Sequence, residues 1–240
     1  MKPIAVTEHN GILVLRDDLI PGGTKSRFLS KLFSTQDEIV YASTACGGAQ
    51  LALAYSAKET RKQATLFVAK RKELHPRTME AITLGATIYQ QQCGYPLNLQ
   101  ARAREYCETT GAYYVDLGCP EALETIAETA AEVYRRYGPF DQVWSAAGSG
   151  VLTRGIQEGI PDAQFFAVRT GRKVTDIGRA VIHDYPLRFQ QELTIDAPFP
   201  SCPNIDRKAW DLCSRLSSGT VLFWNVLGPS PTPFLAKYSR

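Results

Sequence analysis

The sequence lacks the marks of several common protein classes. It has no run of about 18 apolar residues and no basic-then-apolar start, so we expect no transmembrane helix and no signal peptide. Its three histidines and six cysteines show neither a CxxC pair nor metal-ligand spacing, which favours reduced cytoplasmic thiols and no metal. A net charge of +3 is too small to indicate a nucleic-acid-binding surface.

Apolar strands alternate with helical segments along most of the chain. Such alternation predicts an α/β fold with mainly parallel sheet. The longest amphipathic helix is expected at residues 120–137. Four prolines between residues 178 and 206 predict an irregular connection there.

A lysine follows a Gly-Gly turn near the start of the chain. An apolar run at residues 12–15 leads into Arg16-Asp17-Asp18-Leu19, and Pro21-Gly22-Gly23 then precedes a predicted helix at residues 26–32. Lys25 is thus expected beside a helix N-terminus, whose partial positive charge should lower the lysine pKa. A neutral amine is what Schiff-base chemistry requires. On these residues alone, a solvated lysine in a basic turn is the simpler interpretation.

A second glycine-rich segment lies far downstream, at Gly148-Ser149-Gly150-Val151-Leu152. It follows a short apolar strand and precedes a helical stretch, an arrangement that directs several backbone N–H groups at an anion. Glycines also occur in such turns for geometry alone. The segment lacks the third glycine and the later acidic residue of a dinucleotide fingerprint, so phosphate is the better candidate ligand.

Together the two segments resemble the fold-type-II pyridoxal-phosphate enzymes, in particular 1-aminocyclopropane-1-carboxylate deaminase and D-cysteine desulfhydrase. In these enzymes Arg-(Asp/Glu)-Asp-Leu…Gly-Gly-(Asn/Thr)-Lys-x-Arg carries the Schiff-base lysine. A Gly-Ser-Gly-Gly-Thr loop holds the phosphate, and a late Leu-Phe-Ile-His-Thr-Gly-Gly segment lies near the pyridine nitrogen. This chain has residues 16–27, then 148–152, then Leu222-Phe223-Trp224-Asn225-Val226-Leu227-Gly228, in the same order.

The resemblance implies a tryptophan-synthase-beta-like architecture with two subdomains. Residues 1–36 and 111–240 would form the larger, cofactor-binding domain, and residues 37–110 the smaller, inserted substrate domain. The implied cofactor is pyridoxal 5'-phosphate, with Lys25 as the catalytic residue that forms the Schiff base and then transfers protons. The implied cofactor-binding residues are Lys25, Gly148, Ser149, Gly150, Val151, Leu152, Asn225 and Ser230, with Thr232 and Thr153 as further candidates. The implied substrate-binding residues are Ser43, Thr44, Gly47 and Gly48.

The chain departs from the family pattern at three places. Gly47-Gly48-Ala49 replaces the Ser-Asn-(His/Gln) that grips the substrate carboxylate. Val226 replaces a threonine near the pyridine nitrogen, and Val151-Leu152 replaces the Gly-Thr that ends the phosphate loop. A carboxylate without its usual anchors can stand perpendicular to the cofactor ring and leave as carbon dioxide.

Short relatives of this family occur in bacteriophage pathways that hypermodify thymidine in DNA, and this chain resembles them. The leading hypothesis is therefore a lyase that decarboxylates an amino acid attached to a modified thymidine nucleotide or DNA base. A deaminase or desulfhydrase of a free small amino acid is the alternative, and a non-catalytic cofactor binder is a third. The partner would be such a small molecule, nucleotide or DNA, with no membrane involved and with a homodimer allowed. The expected location is the cytoplasm, which for a viral protein is that of the host.

Six further residues are weaker candidates. Tyr185, Tyr114 and Tyr95 could stack on a ring or move a proton, but core packing is the better explanation for each. His183 beside Asp184 could be catalytic, although a surface turn before Pro186 explains it better. Arg169 and Arg172, near a strand end, could hold a substrate anion or be solvated.

Overall fold

The computed structural model describes residues 1–92, 95–116, 118–170 and 176–230. It is an α/β structure with mainly parallel sheets and flanking helices, which confirms the predicted fold class. The strands are β1 (Val6–His9), β2 (Ile12–Arg16), β3 (Glu38–Ser43), β4 (Gln63–Ala69), β5 (Thr87–Gln91), β6 (Tyr113–Tyr114), β7 (Gln142–Ala147), β8 (Gln164–Arg169), β9 (Val181–Asp184) and β10 (Val221–Asn225). The helices are α1 (Ser26–Leu32), α2 (Ala49–Thr60), α3 (Pro76–Thr83), α4 (Pro96–Thr110), α5 (Ala122–Tyr137), α6 (Val151–Gly159) and α7 (Asp206–Leu216), with a 3₁₀ turn at Asp17–Leu19.

The chain forms two compact units, Met1–Ile20 with Gly118–Pro229, and Pro21–Leu117. The first contains a six-stranded sheet in the order β1-β2-β10-β7-β8-β9. Its strands pair in parallel except for the β1–β2 hairpin. The second contains a four-stranded parallel sheet in the order β5-β4-β3-β6. The assignment of a cofactor role and a substrate role to separate domains stays a prediction.

The core of the first unit is aromatic. Trp144 stacks on Phe166 with ring centroids 4.4 Å apart. Trp210 meets Phe223 edge-on at 5.3 Å, and both are buried. On another part of this unit, α5 packs against α6 at Gly155, where a Cβ would lie 2.7 Å from Cγ2 of Ile126. This close packing fixes the helix that follows the glycine-rich loop.

Two strands were not expected from the sequence. Strand β9 lies within residues 178–206, so the prediction of an irregular connection over that whole range was wrong. It pairs with β8 and forms the edge strand of the sheet, a position that a short segment can occupy. Strand β1 precedes a tight turn at Asn10 and Gly11, whose φ values of 55° and 77° suit a two-residue hairpin. Among the described helices, none combines the length and apolarity needed to cross a membrane.

Candidate active site

Lys25 lies directly before helix α1, in a turn that depends on glycine. Gly22 and Gly23 both have left-handed backbones, with φ of 81° and 75°. A Cβ on Gly22 would also lie 2.5 Å from Cα of Ala52 on α2. Backbone conformation and packing therefore both exclude a side chain at Gly22, and the turn holds the Lys25 backbone in place.

The glycine-rich loop at residues 148–150 joins β7 to α6 at the carboxyl end of a buried strand, and Val151 and Leu152 form the start of α6. Gly150 caps α6 with a φ of 93°, a conformation that glycine adopts without strain. Gly148 is different, because a Cβ at this position would have no atom within 4 Å and its φ is not left-handed. The first N–H groups of α6 lack intrahelical partners and point toward the loop, where the helix dipole favours an anion.

The two hydroxyl groups of this loop have different surroundings. Thr153 is buried, and its Oγ1 lies 3.2 Å from Oγ of Ser145, so this hydroxyl is directed into the protein. Ser149 is half-buried. A Cβ on Gly118, which has a φ of 86°, would lie 3.2 Å from Cβ of Ser149. The close approach of Gly118 supports the Ser149 side chain and leaves Ser149 as the better hydroxyl candidate for a phosphate.

Asn225 ends β10 on the same sheet edge, and it is completely buried. Its Nδ2 donates to Oδ1 of Asp18 at 2.7 Å and to O of Pro200 at 2.9 Å. Since Nδ2 faces two acceptors, the orientation of the amide is fixed. Arg16 donates to both carboxylate oxygens of Asp18 at 2.8 and 2.7 Å. Oδ1 of Asn225 is left buried, without a hydrogen-bond partner in the described part of the chain.

The other candidates for the pyridine nitrogen are less defined. The Val226 side chain is apolar, and its backbone N–H donates to Oδ1 of Asp206 at 3.0 Å. Ser230 is half-buried and follows the last strand. Thr232 lies outside the described residues. Asn225 is therefore the candidate with a defined, buried acceptor.

Ser43 ends β3, and Thr44, Gly47 and Gly48 lie in the loop that joins it to α2. Ser43 is buried and its hydroxyl donates to O of Thr44 at 2.9 Å. Thr44 is exposed. A Cβ on Gly47 would lie 2.9 Å from Oγ1 of Thr44, so Gly47 gives room to Thr44 rather than to a bulkier ligand. Gly48 has ordinary helical dihedrals of −73° and −17°, which any residue can adopt.

Two buried side chains hold this loop by its carbonyl groups. Gln50 Nε2 donates to O of Ala45 at 2.6 Å and to O of Gly47 at 3.2 Å. Arg77 Nη1 donates to O of Cys46 between them. In a trans peptide the C=O and the next N–H point in opposite directions. The N–H groups of the same peptides therefore face away from Gln50 and Arg77, beside the N-terminus of α2.

Thr78 completes the arrangement, because its hydroxyl donates to Oε1 of Gln50 at 2.9 Å. The amide of Gln50 is thus oriented by three hydrogen bonds and is fully buried. Gln50, Arg77 and Thr78 were not expected from the sequence to support this loop. No local pattern marks Arg77 or Thr78, which lie 31 and 28 residues from their partners Cys46 and Gln50. Gln50 lies within five residues of its carbonyl partners, but no sequence pattern shows where its side chain points.

Most of the weaker candidates serve structural roles. Tyr185 donates to Oδ2 of Asp211 at 2.8 Å, and burial with this partner raises its pKa to about 12. The ring of Tyr114 lies 4.3 Å beneath the Arg104 guanidinium. Tyr95 is 77% exposed, so the expectation that it packs in the core was wrong.

His183 lies on strand β9, so placing it in a surface turn was also wrong. Its ring stacks on Trp144 with centroids 5.3 Å apart. Arg169 forms an ion pair with Asp184, which occupies its guanidinium. Arg172 lies outside the described residues. Within residues 1–92, 95–116, 118–170 and 176–230, no group of three or more His, Cys, Asp or Glu side chains could hold a metal.

Comparisons with known proteins identify the fold. No protein-family model and no curated protein matches the chain. Among solved structures, a homologue of ACC deaminase is similar, with a TM-score of 0.79 and 18% identity over 98% of this chain and 91% of that chain. Threonine deaminase isoform 2 from Solanum lycopersicum is similar with a TM-score of 0.69 and 12% identity, over 98% of this chain and 81% of that chain. Diaminopropionate ammonia lyase from Escherichia coli is similar with a TM-score of 0.64 and 14% identity, over 94% of this chain and 82% of that chain.

These likenesses cover nearly the whole chain and establish its architecture. At such low identity these likenesses show the fold alone. The chain has the tryptophan-synthase-beta-like architecture known as fold type II, the fold of the pyridoxal-phosphate enzymes that its motifs resemble.

Proposed function

We propose that this protein is a pyridoxal-phosphate-dependent lyase that acts on an amino-acid group through Lys25. The observation that carries the proposal is the pair of glycine-dependent turns in a fold-type-II chain. One turn presents Lys25 before α1, and the other, at Gly150, presents the N–H groups of the first turn of α6. The first turn supplies an amine, and the second suits a phosphate group.

The described residues fit this cofactor. The N–H groups at residues 148–152 and the Ser149 hydroxyl would bind the phosphate. The buried Oδ1 of Asn225 would accept a hydrogen bond from the protonated pyridine nitrogen, which would provide the partner that this oxygen lacks within the described residues. The amine of Lys25 would hold the cofactor and would then take up or deliver a proton at Cα of the substrate. When bound, pyridoxal phosphate withdraws electrons from Cα and labilises the bond perpendicular to its ring.

For the reaction, we propose decarboxylation of an amino acid attached to a thymidine nucleotide or a DNA base. Support comes from the Thr44–Gly48 loop, which offers no side-chain amide where the related enzymes carry asparagine. A weakly held carboxylate can rotate out of the ring plane. It can then leave as carbon dioxide, after which Cα takes a proton.

A deaminase or desulfhydrase of a free small amino acid is the second candidate, and one observation favours it. The carbonyl group of Gly47 accepts from Gln50, so the N–H of Gly48 in the same peptide faces away from Gln50 and can donate to a carboxylate. With this donor holding the carboxylate in the ring plane, another Cα bond would break. A non-catalytic cofactor binder is the third candidate.

The deciding experiment is product analysis with the purified protein and added cofactor. Candidate amino acids and amino-acid-bearing thymidine nucleotides are incubated with the protein, and products are followed by mass spectrometry. A loss of about 44 mass units as carbon dioxide supports the decarboxylase. Release of ammonia or sulfide supports the second candidate and contradicts the first, and absence of turnover with every amine supports the cofactor binder.

A further inference from the structure

A run of three cations follows strand β4. Lys70, Arg71 and Lys72 are all exposed, and none forms an ion pair with a described residue. Some other basic side chains of this unit are paired, as Lys62 is with Asp37 and Arg104 with Asp116. The run keeps a local excess of positive charge even when the adjacent, exposed Glu73 is counted, although the net charge of the whole chain is small.

This run lies at the same sheet edge as the proposed substrate loop. Strands β3 and β4 are parallel neighbours, with Ser43 opposite Val68, so the segments that follow them emerge side by side. Arg77, at the start of α3, reaches the carbonyl oxygen of Cys46 in the substrate loop. The segment of residues 70–77 therefore borders the loop that we propose holds the reacting carboxylate.

Positive charges near this edge contribute to the low pKa of a neighbouring histidine. Burial, followed by the charges of Arg77 and Arg71, lowers the pKa of His75 to about 4. The ring of His75 is occupied as the cap of α3, since Nδ1 accepts from the backbone N–H of Arg77 at 3.2 Å. His75 is thus neutral at pH 7, and the charges of Arg77 and Arg71 beside it favour an anion.

Exposed apolar side chains accompany the cations. Strand β5 pairs with β4, and the backbone N–H of Lys70 donates to O of Gln91 at its end. Helix α4 begins soon after β5, where Tyr95 is 77% exposed and Leu97 is 78% exposed. Tyr95 thus follows, four residues on, the residue whose carbonyl binds the backbone of Lys70. Cations combined with exposed aromatic rings bind phosphates and stack on bases in proteins that hold single strands.

We propose that this edge, formed by Lys70, Arg71, Lys72 and Tyr95, binds the phosphate and base of a thymidine nucleotide that carries the reacting amino acid. The inference rests on the proposed function, because it concerns the remainder of the same substrate. The phosphate can belong to a free nucleotide or to DNA, and the two sources present the same chemistry to the cations.

The test measures binding of fluorescent single-stranded oligothymidylate by anisotropy, with thymidine monophosphate as competitor, over a range of salt concentrations. The variant is the triple change Lys70→Ala, Arg71→Ala and Lys72→Ala. Its matched control is Lys58→Ala, Arg61→Ala and Lys62→Ala, at the end of α2, which runs to the opposite edge of the same sheet. Both variants lose three positive charges.

Each phosphate contact adds about 0.7 to the salt slope of single-strand binding, so losing three should reduce the slope by about 2. From 50 to 200 mM salt, the parent should therefore lose about 20-fold more affinity than the triple variant. The control should keep the parent slope. Tyr95→Ala should weaken binding about tenfold without changing the slope, because stacking involves no counterion release.

Competition by the mononucleotide at concentrations comparable with the oligonucleotide supports a free nucleotide as the source. Binding of the oligonucleotide alone supports DNA. Absence of binding by the parent, or an equal loss of slope in the control variant, would overturn the inference. Cofactor attachment at Lys25 is measured on the same preparations. A parent protein that binds cofactor but no nucleotide would contradict this inference alone. A parent protein that binds no cofactor would contradict the proposed function.

Discussion

The two glycine loops that follow β7 and β3 are held in different ways. The loop after β7 takes its shape from its own backbone, since Gly150 caps α6 with a φ of 93°. The loop after β3 is shaped by side chains from outside it, because Gln50 and Arg77 bind three successive carbonyl groups. The first loop is therefore sensitive to changes in the glycine, and the second to changes in buried donors behind it.

The largest expected effect is that of Gln50→Glu, which would place a carboxylate against the carbonyls of Ala45 and Gly47. Removing one partner from a buried polar network and adding a charge typically costs about 3–5 kcal/mol. A protonated glutamic acid can donate one of the two hydrogen bonds that the amide donates, and burial raises its pKa above the ordinary value of about 4.3. The stability of the variant should thus be greatest at low pH and fall as the pH rises through that raised pKa.

The measurement for Gln50→Glu is the free energy of unfolding by urea between pH 4 and 8. The control is Gln63→Glu, whose amide also donates to a carbonyl but lies on the opposite, amino edge of the sheet. A Gln50 variant as stable as the control at pH 7 would show that the loop does not depend on this side chain.

The phosphate loop is tested by Ser149→Asp. A carboxylate would repel a bound phosphate and remove a donor, and the loss of one charge-assisted hydrogen bond, about 1.5–3 kcal/mol, sets the minimum effect. Cofactor affinity should fall about a hundredfold, as measured by absorption titration. Ser34→Asp, at an exposed serine that donates to O of Lys31, should leave the affinity unchanged. Equal cofactor affinity in the two variants would show that residues 148–152 form a structural turn and do not bind the phosphate.

The choice of reaction is tested at Gly48, because its backbone accepts any residue while Gly47 packs against Thr44. Gly48→Asn restores an amide donor, and a hydrogen bond to a carboxylate contributes about 1.5–3 kcal/mol. Carbon dioxide release should then fall about 10- to 100-fold, as measured by mass spectrometry. Gly48→Leu adds similar volume without a donor. If both variants slow decarboxylation equally, the effect is steric and the explanation from missing carboxylate donors fails.

The smallest effect is expected from the glycines of the phosphate loop. Gly150→Ala forces a side chain into a left-handed backbone, which costs about 1–2 kcal/mol. Gly148→Ala is the matched control, since its Cβ would meet nothing within 4 Å. Urea unfolding should separate the two variants by this amount, and equal stabilities would contradict a backbone-determined loop.

The difference between the two loops also explains which features could be predicted from the sequence. The α/β class, the helix after Lys25 and the strand before Gly148 follow from local patterns of apolar residues, glycine and proline. The short edge strand β9 was missed because its four residues alternate little and lie among prolines. The donor Arg77 was missed because it reaches Cys46 only when α3 packs beside the loop after β3, and Gln50 was missed because its side-chain direction has no sequence pattern. Asn225 was named for its place in a motif, but the orientation of its buried oxygen is a product of the Arg16–Asp18 network.

The central claim is that Lys25 attaches the cofactor, and reduction with borohydride tests it directly. The protein is incubated with pyridoxal phosphate, reduced, digested and mapped by mass spectrometry. We expect a yellow protein and a single modified peptide that contains Lys25, with no specific label in Lys25→Ala. A label on another lysine, or no label with cofactor in excess, would contradict the account.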